Sequence, residues 1–349
     1  MKTFINRLLF INLLLMVLVS ACSDEDENPN PVVGEVTPAQ GASNTLLTLK
    51  GSDLRNVVTV VFANGNVRAD FNPNFNTNEA ILFRVPTDAI PGAQDIILTN
   101  KNGTQSRVPF NVLGFANITD VSNYNFREGT QITLTGKNLA DVTSVVFTKG
   151  STPVEIVSKT ATTLTLEFPD TEEFETTLDI TNAAGMARTT QSFVAIDNAF
   201  AIFTDDYAPG YQDASWGSGG AISTTEFKSG TASVYKDYAA GNWHQLGFGW
   251  TQTPNDNYKF LSFWIKGGTA NFDLYISTSS SPSGFASFDS FSKITVPANV
   301  WTYFKIPVST LKLWGNSGTT PWNQIGWRIQ GPDGADQRFY LDDVIFIKE

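Results

Sequence analysis

One stretch of this chain is written twice. Thr48-Leu49-Lys50-Gly51-Ser52-Asp53-Leu54 runs on to Val60-Val61-Phe62 and Gly65. Thr133-Leu134-Thr135-Gly136-Lys137-Asn138-Leu139, 85 residues further on, leads to Val145-Val146-Phe147 and Gly150. Recurrence of the same punctuation marks a structural unit present in two copies. Each copy consists of short β-branched runs bounded by Gly, Asn and Pro, the pattern of a small all-β sandwich. Val58, Val60 and Phe62 alternate with Thr59 and Val61, and Leu164, Leu166 and Phe168 with Thr165 and Glu167. That period of two half-buries a strand. Ile96-Ile97-Leu98-Thr99 leads into Asn102-Gly103, a hairpin-turn signal.

Near residue 200 the texture changes. All eight tryptophans lie after residue 215, and of nine tyrosines only Tyr124 falls before residue 200. Such side chains pair a flat apolar face with a hydrogen-bonding edge, which suits a partly wet recognition surface. They also fill cores, so each ring has to be weighed by its neighbours. In Asn242–Trp250, Leu246 and Phe248 mark the inward face, which His244 and Trp250 share. Trp243, Gln245, Gly247 and Gly249 then face outward. A Trp and a Gln flanked by glycines would leave a shallow trough for a flat ligand, so Trp243 is either a platform or a structural ring. The same period turns Ile325, Trp327 and Ile329 inward and Arg328 and Gln330 outward, where Arg can donate to hydroxyls and stack on a ring. In Phe272–Ser277 it leaves Asp273 and Tyr275 outside. Trp264 and Trp301 sit in framework-like strands and read as packing. Trp216, Trp314 and Trp322 lie in Gly/Ser/Thr/Asn-rich segments and are expected at an exposed rim.

The N-terminus reads as targeting sequence. Lys2 and Arg7 precede an apolar run, Leu8–Val19, too short for a confident membrane span. It ends Val19-Ser20-Ala21-Cys22, which resembles a bacterial lipobox, with Cys22 the lipid-bearing residue. Cys22 is the sole cysteine, so an intrachain disulfide is excluded. Ser23-Asp24-Glu25-Asp26-Glu27 follows as an acidic spacer. The expected divisions are 1–21 signal peptide, 22–33 flexible linker, 34–113 and 114–197 the two repeats, and 198–349 the aromatic domain.

Charge and residue supply exclude several functions. Net charge is −11, with no basic cluster of the kind nucleic acid needs. One histidine and one leader cysteine leave no zinc site built on several such ligands. Glycosidases need two carboxyls about 5–5.5 Å apart, or about 6.5–9.5 Å apart if inverting, yet the last domain has only Glu226 and the terminal Glu349 as glutamates. No cofactor is called for. A Tyr/Arg lyase, a glycosidase and a protein-adhesion role remain as alternatives. Asp205, Asp206, Asp342 and Asp343 come from the two ends of the domain. They either solvate strand ends or meet, with Asp205 and Asp342 as candidate calcium ligands.

Three resemblances sharpen this. Gly34-Glu35-Val36-Thr37-Pro38, the Leu-x-Gly-x-x-Leu corner, and Pro91-Gly92 leading to Leu98-Thr99-Asn100-x-x-Gly103 resemble the immunoglobulin-like IPT/TIG domain. The second copy keeps Ile180-Thr181-Asn182-x-x-Gly185 but lacks Pro-Gly. Phe203-Thr204-Asp205-Asp206, Leu261–Gly268, Trp301–Pro307 and the closing Phe339–Phe346, taken in order, resemble jelly-roll carbohydrate-binding modules, some of which hold a structural calcium. With the lipobox and acidic signal, the whole resembles the surface glycan-binding lipoproteins of Bacteroidota polysaccharide-utilisation systems. The resemblance implies an all-β chain of two immunoglobulin-like sandwiches followed by a larger jelly-roll. It also implies an outer-membrane lipid anchor, a polysaccharide ligand, and a neighbouring transporter and enzymes as partners. Exposed tryptophans and the lack of a basic cluster fit a neutral polymer, a β-glucan such as laminarin, with xylan or mannan fitting almost as well.

Overall fold

The computed structural model describes residues 30–217, 220–253, 257–330 and 334–348. Cys22, the expected leader and the acidic spacer lie outside them. Among the described residues no helix is long and apolar enough to cross a membrane. The chain is almost entirely β and divides into two compact units: residues up to Phe115 with Ala183–Gly185, and the remainder from Ala116.

The first unit sets a three-stranded sheet (Val32–Thr37, Leu46–Ser52, Ala80–Arg84) against a five-stranded one, ordered Gln40–Gly41, Gln105–Val112, Gly92–Asn100, Val57–Phe62, Val67–Ala69. Leu47, Leu49, Val60, Phe62, Ile81, Phe83, Ile96 and Leu98 supply the core from the two inner faces. The hairpin turn forms where expected: Asn100 Oδ1 accepts from the amides of Asn102 and Thr104, and Gly103 takes φ +82°. Val58 departs from its expected inward position. A register shift between Val57 and Thr59 turns Val57 into the core and Val58 out.

The repeated punctuation now has a physical reason. A Cβ on Gly51 would sit 2.0 Å from the carbonyl oxygen of Val32 on the neighbouring strand, and one on Gly136 would sit 2.0 Å from that of Asn117. Two residues later Asp53 and Asn138 both take φ 59°, a left-handed conformation that Asp and Asn tolerate. That turn drops Leu54 and Leu139 into their cores. Gly51→Ala is therefore expected to cost about 2 kcal/mol or more, since neither contact atom is a flexible side chain. Urea unfolding followed by circular dichroism measures it.

The second unit joins the second repeat to the C-terminal domain. In the repeat, a sheet ordered Glu155–Lys159, Thr163–Glu167, Gln131–Lys137, Asn117–Val121 covers a core containing Phe126, Phe147, Phe168 and Phe193. The C-terminal domain is a larger sandwich. Its six-stranded sheet runs Gly220–Ser223, Ser233–Tyr238, Gln337–Ile347, Phe260–Lys266, Trp301–Pro307, with Phe200–Phe203 also pairing Gln337–Ile347. Its five-stranded sheet runs Gln212–Asp213, Gln245–Thr253, Trp322–Gln330, Phe272–Thr278, Lys293–Val296. Leu246, Phe248, Ile325, Trp327, Leu274 and Ile276 face Val234, Phe263, Leu341 and Val344 across one core.

Tyr124, the one tyrosine outside the aromatic domain, sits at the join. Its ring stacks on Tyr303 at 4.7 Å and on Trp264 at 5.6 Å. Trp264 Nε1 donates to Asn123 Oδ1 (3.1 Å), Asn125 Nδ2 donates to Asp343 Oδ2 (2.9 Å), and Lys305 pairs with Glu175. Val194 and Ile196 share a small core with Ile345 and Ile347. Trp264, Tyr303 and Lys305 belong to the six-stranded sheet, so the second repeat occupies part of that sheet's outer surface.

Candidate functional site

The outer face of the five-stranded sheet carries one row of side chains that crosses four strands and ends at Trp216, just beyond the Gln212–Asp213 edge strand. Trp216 bridges to Gln245, Gln245 pairs with Arg328, Arg328 with Tyr275, and Tyr275 with Lys293. Their chain neighbours Leu246, Trp327, Leu274 and Ile276 point into the core, so the period-two pattern assigns this row to the other face.

Arg328 is the centre of the patch. Its guanidinium carbon lies 3.9 Å from the Phe288 ring centroid, 5.1 Å from Trp243 and 5.4 Å from Trp216. One terminal nitrogen donates to the Ala286 carbonyl, while Nε is buried with no described hydrogen-bond partner. Desolvation lowers its pKa from the ordinary arginine value, and the surrounding rings offset part of the cost of desolvating the charge. Trp243 also packs on Phe288 at 4.9 Å, and Phe288 meets Tyr275 edge-on at 5.1 Å. Trp216 and Trp243 remain 38% and 51% exposed. The result is two partly exposed indoles flanking a charged fork. Such a surface can stack the apolar face of a sugar and donate hydrogen bonds to its hydroxyls.

The trough is filled by the protein itself. Gln245 is fully buried, its Oε1 accepting from Trp216 Nε1 at 3.1 Å. A Cβ on Gly326 would meet Gln245 Nε2 at 2.0 Å, and one on Gly247 would meet the Ala214 carbonyl at 2.7 Å. These glycines make room for the Gln245 side chain and the 214–216 segment rather than for a ligand. Gln245 is thereby a support for Trp216. Tyr275, nearly buried beneath Phe288, is likewise a foundation. Gln330 ends its strand opposite Asp273; its side chain lies outside what is described.

Trp314 and Trp322 are not rim residues. Both are buried, 5.7 Å from each other and 5.4 and 5.9 Å from Phe346. The Gly/Ser/Thr-rich segment between them is an exposed loop, but the two rings sit at its anchored ends, and Trp322 opens a central strand. Trp250 departs the other way. It is 54% exposed, because the register shifts between Gly249 and Thr253. Phe288 was missed altogether. Its only signal is the spacing of Phe285, Phe288 and Phe291 in a serine-rich loop. His244 is buried against Tyr238.

The carboxylates from the two domain ends do meet, but around a loop. Lys228 and Ser229 amides donate to Asp342 Oδ2 (2.8 and 3.2 Å), the Ser229 hydroxyl to Asp343 Oδ2 (2.6 Å), and the Thr231 and Ala232 amides to Asp205. Calcium takes six to eight oxygen ligands. Here the carboxylates face N–H and O–H donors, and among the described residues no three His, Cys, Asp or Glu side chains gather to hold a metal. Asp205 and Asp342 as arranged act as a latch for residues 228–232.

Burial, then repulsion from Asp343, raises the Asp342 pKa against the hydrogen bonds from the loop amides; burial raises that of Asp343 against the hydrogen bonds from Asn125 and Ser229 and the charge of Arg127. Between the ordinary carboxylate range and these raised values the folded chain holds protons that the unfolded chain has shed. The stability that depends on keeping this buried pair protonated is thus fully present below the ordinary range and falls as pH rises through the raised one. Melting temperature is expected to decline from mildly acid to mildly alkaline pH, and Asp342→Asn to flatten that decline. Thermal melts at matched ionic strength check it.

Comparison with known proteins bears on the scaffold. Residues 31–112 and 116–195, the two repeats, each match the IPT/TIG domain family. No curated protein sequence matches it. Among solved structures it is similar to SGBP-B from a complex xyloglucan utilization locus in Bacteroides uniformis, with 19% identity over 92% of this chain and 100% of that one and a TM-score of 0.46. It is also similar to the surface glycan-binding protein PbSGBP-B from Prevotella bryantii (15% identity, 91% and 99% covered, TM-score 0.46). A third is SGBP-B of the Bacteroides ovatus mixed-linkage glucan utilization locus, in complex with a mixed-linkage heptasaccharide (16% identity, 91% and 76% covered, TM-score 0.34).

Proposed function

We propose that this chain is a non-catalytic polysaccharide-binding protein whose C-terminal sandwich captures a neutral glycan on the patch formed by Trp216, Arg328 and Trp243. The observation that carries the reading is the guanidinium held among three rings, with two indoles left partly exposed beside it. In the full reading, lipid on Cys22 holds the protein to the outer face of the outer membrane. There the captured chain, a β-glucan or a similar neutral polymer, is passed to neighbouring enzymes and a transporter.

Two partly exposed acids of the domain are held ionised by cation partners, which fits binding without turnover, while the raised pair Asp342 and Asp343 is buried and hydrogen-bonded to the 228–229 segment. A glycosidase acid needs a raised pKa. Glu226 is held below its usual range by Lys266 at 2.8 Å, with Trp301 also hydrogen-bonded to it. Asp273 is held low by Lys293 and Thr295. In affinity electrophoresis against a polysaccharide panel, a neutral glucan is expected to retard the protein with no release of reducing ends or unsaturated uronates. Added salt is expected to leave that retardation unchanged, because neither partner presents a charge that the other neutralises. Product in excess of protein would make it an enzyme. Failure to retard any polysaccharide, alongside capture of a protein partner, would make it an adhesin.

A further inference from the structure

The first repeat holds a second candidate site. A cleft of about 400 Å³, within the range of small-ligand pockets, is lined by Arg55, Arg68 and Lys101 with Val58, Phe71 and Pro73 as apolar lining. Asp70 is its one acid. The other cations of residues 30–115 are engaged: Lys50 with Glu35, Arg107 with Asp95, and Arg84 with the Asn44 carbonyl. The side chains of Arg55, Arg68 and Lys101 make no described ion pair or hydrogen bond. The domain's three unengaged cations therefore converge on one cleft.

The second repeat provides an internal control. Arg55 matches Ala140 in the repeated segment, and Lys101 matches Ala183 in the Thr-Asn-x-x-Gly turn. Arg68 pairs with Val61, and the corresponding Val146 pairs with Pro153. The fold thus forms without any of the three charges, so building the sandwich does not account for them. In a chain of net charge −11 they define a local field of opposite sign.

We propose that this cleft binds a carboxylate-bearing sugar, a uronic acid unit of a polysaccharide. Guanidinium groups match a carboxylate in two-point geometry, and the apolar lining suits the C–H face of a pyranose ring. This goes beyond the neutral-glycan site and does not depend on it.

Isothermal titration of the whole protein with a galacturonate trisaccharide tests this. The parent and Trp243→Ala are expected to bind alike, with affinity falling as salt rises. The triple variant Arg55→Ala/Arg68→Ala/Lys101→Ala is expected to lose at least about tenfold, with circular dichroism unchanged because all three side chains are at the surface. Arg68→Glu alone is expected to weaken binding as well. Absence of binding by the parent overturns the proposal, as does equal binding by the folded triple variant. Inorganic phosphate competing as strongly as the trisaccharide would reduce the site to a general anion sink. Tighter binding of the peptide Ser-Asp-Glu-Asp-Glu would reassign it to acidic protein segments. Loss of neutral-glucan binding in Trp243→Ala with uronate binding retained would separate this site from the one on the sandwich.

Discussion

Trp243→Ala is expected to weaken neutral-glycan binding about 30-fold or more while lowering the melting temperature only slightly. The estimate follows from the cost of removing a central aromatic anchor, about 2 kcal/mol or more. Half of this ring is open to solvent, so its deletion leaves no core cavity. Its contacts are with Phe288 and the Arg328 guanidinium, both on the outer surface of the sheet. Trp216→Ala is expected to follow with a smaller loss of binding and some loss of stability, because its indole N–H caps the buried Gln245 carbonyl oxygen. Affinity electrophoresis and titration of folded variants separate the two effects.

The opposite result is expected at Trp322. Trp322→Ala should cost about 3–5 kcal/mol of stability, the usual range for emptying a buried aromatic site. The ring is 1% exposed and packed between Trp314 and Phe346 in the sandwich core. Its indole N–H has no described partner, so the loss is one of packing. Urea unfolding monitored by tryptophan fluorescence measures it. Any residual folded fraction should bind glycan like the parent. A stable Trp322→Ala variant that fails to bind would return this ring to the ligand surface and undo the division between core and platform.

That division could not be read from composition. Repeat and alternation were legible because backbone geometry writes them directly. Gly51 and Gly136 recur where a neighbouring carbonyl leaves no room for Cβ, and Leu164, Leu166 and Phe168 alternate because they line one sheet face. The same period placed Gln245, Arg328 and Tyr275 on a common face. It could not tell that Gln245 folds over Gly326, or that a loop carries Phe288 across Tyr275. Both depend on what crosses the face from elsewhere in the chain.

Local irregularities defeated the pattern at Val58 and Trp250, where register shifts reverse the facing of one residue. Loop-like flanks misled at Trp314 and Trp322, since a Gly/Ser-rich loop still needs fixed ends. For Asp205 and Asp342 the sequence leaves open whether they solvate strand ends or meet, and both are found hydrogen-bonded to the same 228–232 segment. Their partners, the amides of 228–232, left no trace in sequence spacing. Tyr124 stood out as the lone tyrosine of the first two hundred residues, and its meaning came only with the stack on Tyr303 and Trp264.

The central claim is that the outer face of the five-stranded sheet is the glycan surface. A crystal structure of the whole protein with a neutral β-glucan oligosaccharide tests it most directly. The expected result is a pyranose ring stacked on Trp243 or Trp216, with a hydroxyl within hydrogen-bond distance of the Arg328 guanidinium. An oligosaccharide bound on any other surface, with those three side chains bare, would contradict it.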